Sequence, residues 1–193
     1  MNRDIDFIPL FDLKQQQDFF KRLLRPTNLL DNPGSGDCLF YSIINNIDKP
    51  NLNNLKINEL RLMISIELRN LELSRENRLY KYIEGIKNYK EYCDWISHSG
   101  NWINGNDYSN FELVLSVISQ KYNIDIIVLI KFNKKNRTDN LIHSYLYKSK
   151  TKNSNKQNRI ILYYNENKQH YQTVIRDRFT NTIPVENFHE KVK

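Results

Sequence analysis

Apolar and polar positions along the chain alternate in blocks that predict helices first and strands after. From Asp12 to Leu24 the residues Leu13, Phe19, Phe20, Leu23 and Leu24 recur at helical spacing until Pro26 stops the run. Residues 34–38 form a Gly-punctuated turn, and after it Leu39, Phe40, Ile43, Ile44 and Ile47 make a second helical stripe. Leu55–Leu73 predicts a third helix, with Leu60, Ile64, Leu68 and Leu71 on one face. Arg75–Tyr92 predicts a fourth through Leu79, Tyr82, Ile83 and Ile86, interrupted by Gly85. Residues 97–108 read as a polar loop. Ser109 and Glu112 then have the spacing of a capping box ahead of a stripe of Phe111, Val114, Leu115, Ile118 and Tyr122.

Past Asn123 the period changes. Ile124–Ile130 is a β-branched apolar run of strand length, which reads as a strand buried on both faces. Leu141–Tyr147, Arg159–Tyr164 and Gln169–Ile175 read as three more strands, the last two joined by a turn at 165–168. The tail after Phe179 has little periodicity. The expectation is one α+β domain over residues 1–193, with helices packed around a small, mostly antiparallel sheet. Its core spans about 30–178, with an N-terminal arm and helix over 1–25 and a tail over 180–193.

Composition narrows the classes. No apolar run approaches the ~20 residues of a membrane-spanning helix, and the acidic start (Asp4, Asp6) does not resemble a secretory signal. Two cysteines, Cys38 and Cys93, make neither a disulfide framework nor a four-ligand zinc site, so no metal or cofactor is expected. A reducing, cytoplasmic setting and a monomer are the default expectations. The net charge of +7 is local. Residues 131–159 hold nine Lys or Arg against Asp139 alone, which leaves 20 basic and 21 acidic residues elsewhere from totals of 29 and 22. Such a tract reads first as a solvated face, and nucleic acid or an acidic surface is a lesser alternative.

Cys38 is the candidate nucleophile. A thiol in the first turn of a helix feels the positive end of the dipole, which lowers its pKa, and glycines at Gly34 and Gly36 let N–H groups face a developing oxyanion. A cysteine nucleophile needs a base. The four histidines are His98, His143, His170 and His189; His170 opens the last strand directly after a turn, 132 positions beyond Cys38. Cys93, in the aromatic setting Tyr92-Cys93-Asp94-Trp95, reads as a packed thiol.

The stretch Gly36-Asp37-Cys38-Leu39-Phe40-Tyr41-Ser42-Ile43 resembles the cysteine box of the ovarian-tumour (OTU) family of cysteine proteases. Gln169-His170-Tyr171-Gln172-Thr173-Val174 resembles that family's histidine box. Trp102, Phe111-Glu112-Leu113 and the strand 124–129 resemble its central Trp…Glu-Leu region, and Leu60-Arg61 to Asn70 its long helix. The resemblance implies an OTU-type, papain-like fold and a deubiquitinase that cleaves isopeptide bonds after the C-terminal glycine of ubiquitin or a ubiquitin-like modifier. It implies Cys38 as the nucleophile that forms a thioester and His170 as the base. It also implies an oxyanion hole from the backbone of Asp37 and Cys38, a supporting turn at Ser35 and Gly36, and a channel flanked by Trp102 and Tyr171.

Two positions depart from the family pattern: Ser35 stands where Asp is usual, and Gln172 where Asp or Asn orients the histidine. Gln172 shares a strand face with His170 and is one candidate for the third member. An upstream acid (Asp4, Asp6 or Asp12) and a bare Cys–His dyad are the others. These departures also motivate an alternative function, a ubiquitin-binding module without turnover. The Asn-, Lys- and Ile-rich composition suits an effector acting in a host cytoplasm.

Overall fold

The computed structural model describes residues 13–34, 36–46, 56–72, 88–100, 111–131, 141–149, 159–175 and 189–190. Five helices precede most of the strands: α1 (Leu13–Leu23), α2 (Cys38–Asn46), α3 (Ile57–Glu72), α4 (Tyr89–Ser97) and α5 (Glu112–Tyr122). The strands are β1 (Leu29–Leu30), β2 (Asp125–Lys131), β3 (Ile142–Tyr147), β4 (Arg159–Asn165), β5 (His170–Val174) and β6 (His189–Glu190). They form one sheet in the order β1-β5-β4-β2-β3-β6. Three neighbouring pairs are antiparallel; β2–β4 and β3–β6 are parallel.

The apolar run of β2 is explained by what covers each side of it. Ile126, Val128 and Ile130 face the large core that α2, α3, α4 and α5 build with Ile160, Leu162, Tyr164 and Tyr171. Ile127 and Leu129, one residue out of phase, join the smaller core under α1 with Phe20, Leu23, Ile161 and Val174. A strand alternates its side chains between faces, so a helix layer on each side demands apolar residues at both parities. Each fully buried side chain of this kind contributes about 1.5–3 kcal/mol. Gln17 of α1 adds direction: its side-chain amide donates to the Ile142 carbonyl at 2.9 Å and accepts from the Ile142 N–H at 2.8 Å, as a neighbouring peptide would.

Asn123 ends α5 in the left-handed region (φ 52°), as its breaker role predicts. At the other end the helix starts at Glu112 with Phe111 in the N-cap position; the expected cap, Ser109, lies outside the described residues. Of the helix expected over 75–92, residues 75–87 lie outside the described residues; from Tyr89 a helix runs to Ser97. Asn88 starts it by accepting the Glu91 N–H at 2.9 Å, and its buried stripe is Tyr89, Tyr92, Cys93 and Ile96. Cys93 is fully buried, as a packed thiol should be. Most of the basic tract 131–159 lies outside the described residues. Among those described, no helix is long and apolar enough to cross a membrane.

Pairing of β1 with β5 sets Leu29 opposite Val174 and Leu30 opposite Thr173. It thereby brings residues 31–33, which lead into the Gly36 turn, alongside the strand that carries His170.

Candidate active site

Cys38 is the first residue of α2 and is 1% exposed. The turn before it depends on Gly36, whose φ of 83° suits glycine. Gly34 plays no such part, since a Cβ there would meet nothing within 4 Å. Ser35 lies outside the described residues. Asp37 gives its carbonyl to the first helical bond, from the Tyr41 N–H at 3.0 Å. Its side chain turns away from its own helix.

That carboxylate enters a buried network absent from the sequence expectations. Arg61 of α3, with a side chain 0% exposed, donates to Asp37 Oδ1 at 2.7 Å and to the Gly36 carbonyl at 3.2 Å. It also donates to the Ile96 and Trp95 carbonyls at the end of α4, and stacks over the Phe40 ring at 4.5 Å. Asp37 Oδ2 accepts the Ser99 hydroxyl at 2.6 Å and the Gly100 N–H at 3.0 Å, with Gly100 at a φ of 75°. Two helices and the loop after α4 thus converge on the residue preceding the thiol. A buried arginine is tolerable only when its donors are met this fully.

His170 opens β5 after a tight turn in which Gln169 takes a positive φ of 47°. Its Nε2 lies 2.9 Å from Oδ1 of Asp31. The hydrogen bond expected from the imidazole to the Gln172 carbonyl is not formed. Gln172 does share the face of His170, but its Nε2 donates to the same Asp31 oxygen at 3.1 Å. The acid that holds the imidazole is therefore Asp31, upstream of the cysteine as one alternative required, yet none of Asp4, Asp6 and Asp12, which lie outside the described residues. Desolvation is the largest single influence on Asp31 and opposes its ionisation, but the hydrogen bond and charge of His170, with hydrogen bonds from Gln172 and the Asn32 N–H, together outweigh it and hold the carboxyl below the usual value.

Tyr171 answers a different expectation. Its ring is fully buried, against Tyr164 at 4.8 Å and edge-on to Phe111 at 5.8 Å, so it packs the core and does not line a channel. Its backbone contributes to the site instead: the Tyr171 N–H donates to Cys38 Sγ at 3.4 Å. Trp102 lies outside the described residues. The expected low thiol pKa is reversed. Burial pushes the Cys38 thiol up and outweighs the opposing N–H groups of Tyr171, Leu39 and Cys38 itself, while the Asp37 charge adds to the rise. The resting group is a neutral thiol.

The structure thus brings Cys38, the His170 strand, Asp31 and Gln172 together. His143 sits on β3, separated from β5 by β2 and β4, and His98 follows α4 with its Nδ1 on the Asp94 carbonyl. Asp31 and Arg61 are what sequence reasoning missed. Arg61 carried a signal, since it falls on the stripe with Ile64 and Leu68 at the buried face of α3. Asp31 carried none, because β1 is two residues long.

Comparisons with known proteins bear on this geometry. Residues 33–171 match the family model of the OTU-like cysteine proteases. Among solved structures the chain is similar to the OTUD1 OTU domain, with a TM-score of 0.53 and 18% identity over 85% of this chain and 95% of that one; the likeness speaks to the fold. It is also similar to the OTU of Hazara virus bound to ubiquitin, with a TM-score of 0.47 and 14% identity over 75% of this chain and 78% of that one. No curated protein matches the sequence significantly.

Proposed function

The chain belongs to the OTU-like cysteine protease family, and from that premise we propose that it is an active deubiquitinase, with Cys38 as nucleophile, His170 as base and Asp31 as the acid that orients it. The observation that carries the reading is the contact of Cys38 Sγ with the Tyr171 N–H, one residue past a histidine whose Nε2 is held by a carboxylate. With Nε2 engaged by Asp31, Nδ1 is the nitrogen left for the thiol. Because burial keeps the thiol neutral, the proton moves to His170 as sulfur attacks, and no standing thiolate is needed. The attack opens the isopeptide carbonyl to a tetrahedral oxyanion, which N–H groups at Asp37 and Cys38 would meet. Loss of one such donor costs about 100- to 1000-fold. His170 then protonates the leaving lysine amine as the C–N bond breaks and a thioester remains. Water, giving its proton to His170, hydrolyses that thioester to the ubiquitin carboxylate and restores the thiol.

The test is adduct formation with ubiquitin carrying an electrophilic C-terminus. Wild type should gain the mass of ubiquitin and Cys38→Ala should not; wild type without adduct sinks the proposal. The 1% exposure of Cys38 favours a second reading, a domain that binds ubiquitin without turnover. Saturable binding with no cleavage of any di-ubiquitin would select it.

A further inference from the structure

We propose that Asn32 is a positioning residue that fixes the spacing between the nucleophile and the histidine; this rests on the reading of Cys38 and His170 given above. Asn32 is 7% exposed, and its side chain points inward where that of Asp31 points out. Its Nδ2 has two hydrogens and both are used. One goes to the Tyr171 carbonyl at 3.1 Å, on the residue after the histidine. The other goes to Ser42 Oγ at 2.6 Å, and that hydroxyl donates in turn to the Cys38 carbonyl at 2.9 Å. A continuous bridge therefore runs from the backbone beside His170 to the backbone of Cys38 through one amide and one hydroxyl. Asn45 of α2 closes it by donating to Asn32 Oδ1 at 3.0 Å.

The backbone of the same residue also touches the acid. The Asn32 N–H is among the groups that hold the Asp31 carboxyl below its ordinary value. Asp31 has a side chain 73% exposed and is held by His170, Gln172 and this neighbour. Alternation along residues 31–32 thus sends one side chain to the imidazole and the next to the bridge. Without the bridge, β5 and α2 would still pack, but their separation at the site would depend on apolar contacts that carry no direction. Displacements of ~1 Å at a reacting pair can cost about a hundredfold in rate.

The experiment measures iodoacetamide alkylation of Cys38 in the full chain across about pH 5 to 10, read by mass at each cysteine. Cys93, 0% exposed, reports in the same sample whether the fold holds. Wild type should show an acid-side limb that His170→Ala removes. Asn32→Ala should lose that limb and react at neutral pH about ten- to a hundredfold more slowly, with Cys93 still protected. Asn32→Asp keeps the shape but not the donors and should behave like Asn32→Ala. The Asp31→Asn/Asn32→Ala double variant should be no slower than the slower single variant, because both act on the same imidazole. Wild-type kinetics in Asn32→Ala with Cys93 protected, or strictly additive losses, would overturn the proposal. If Asn32→Ala exposes Cys93, Ser42→Ala carries the test: it removes one link of the bridge, should move the limb in the same direction, and refutes the proposal if its profile is unchanged. A wild-type profile without any histidine limb would instead overturn the pairing of Cys38 with His170, and this inference with it.

Discussion

Arg61→Met is the most demanding test of how the nucleophile turn is held. The substitution keeps a long apolar stem over Phe40 and removes every donor of the guanidinium. Four bonds disappear, to Asp37, Gly36, Ile96 and Trp95. The three carbonyls are each worth about 1 kcal/mol, but the dominant cost is electrostatic. Asp37, with a side chain 6% exposed, would keep the Ser99 hydroxyl and the Gly100 N–H yet lose its only ion-pair partner among the described residues. Removing one partner of a buried pair costs about 3–5 kcal/mol, and the two remaining donors place this case toward the lower end. A domain of this size has about 5–15 kcal/mol in hand, so the variant should still fold. With a urea slope of about 2 kcal/mol per molar, a loss of about 3–4 kcal/mol should lower its unfolding midpoint by about 1.5–2 M. Adding Asp37→Asn should cost less than the two single losses together, because the stranded charge is gone, with a coupling of at least about 1 kcal/mol. A loss below about 1 kcal/mol for Arg61→Met would refute the reasoning, since the carboxylate would then need no buried cation.

The roles of Asp31 and Gln172 should separate by rank in di-ubiquitin cleavage. Asp31→Asn should lower kcat about ten- to a hundredfold, short of the loss at a buried triad acid because Asp31 is largely exposed. Gln172→Ala removes one hydrogen bond and should stay within about tenfold; the reverse order would return the orienting role to Gln172. The Asp31 pair is also visible in acid. Its carboxyl is lowered, so its stabilisation is present above the ordinary carboxylate value and is lost as pH falls through the lowered one, and Asp31→Asn should flatten that limb of a stability–pH curve. For Cys38 the sign is opposite. A raised thiol stabilises the fold below the ordinary thiol value and withdraws that stability as pH rises through the raised one. In a His170→Ala background, alkylation of Cys38 should therefore rise with a midpoint above the ~8.5 of a free thiol; a midpoint below it would contradict the dominance of burial.

Much of the architecture was legible because its signals are local. The stripe 39–44 marked α2, the stripe 111–122 marked α5, and the unbroken apolar run of β2 announced helices on both faces of the sheet. Glu166–Gln169 turns the chain between β4 and β5, as its polar sequence suggested. Short polar contacts are harder to read than periodicity: Asn88 starts α4 with one side-chain bond, while the Leu79–Ile86 stripe and Ser109 lie outside the described residues.

The site itself shows why residue type and spacing identify a nucleophile more readily than its chemistry. Helix position and the N–H groups of Cys38 and Leu39 argue for an acidic thiol, and both are local properties of the turn. Burial comes from the place of Cys38 in the main core, and it prevails. The same holds for the acid. Asp31 and His170 are separated by 139 positions, and the short pairing of β1 with β5 brings them together. A buried neutral thiol needs its base at the moment of attack more than a standing thiolate does, so the precision of the His170 strand matters more here than the dipole of α2. That places the functional weight on the polar contacts linking separate elements, Asn32 to Tyr171 and Ser42, and Asp37 to Arg61, whose partners no periodic pattern pairs.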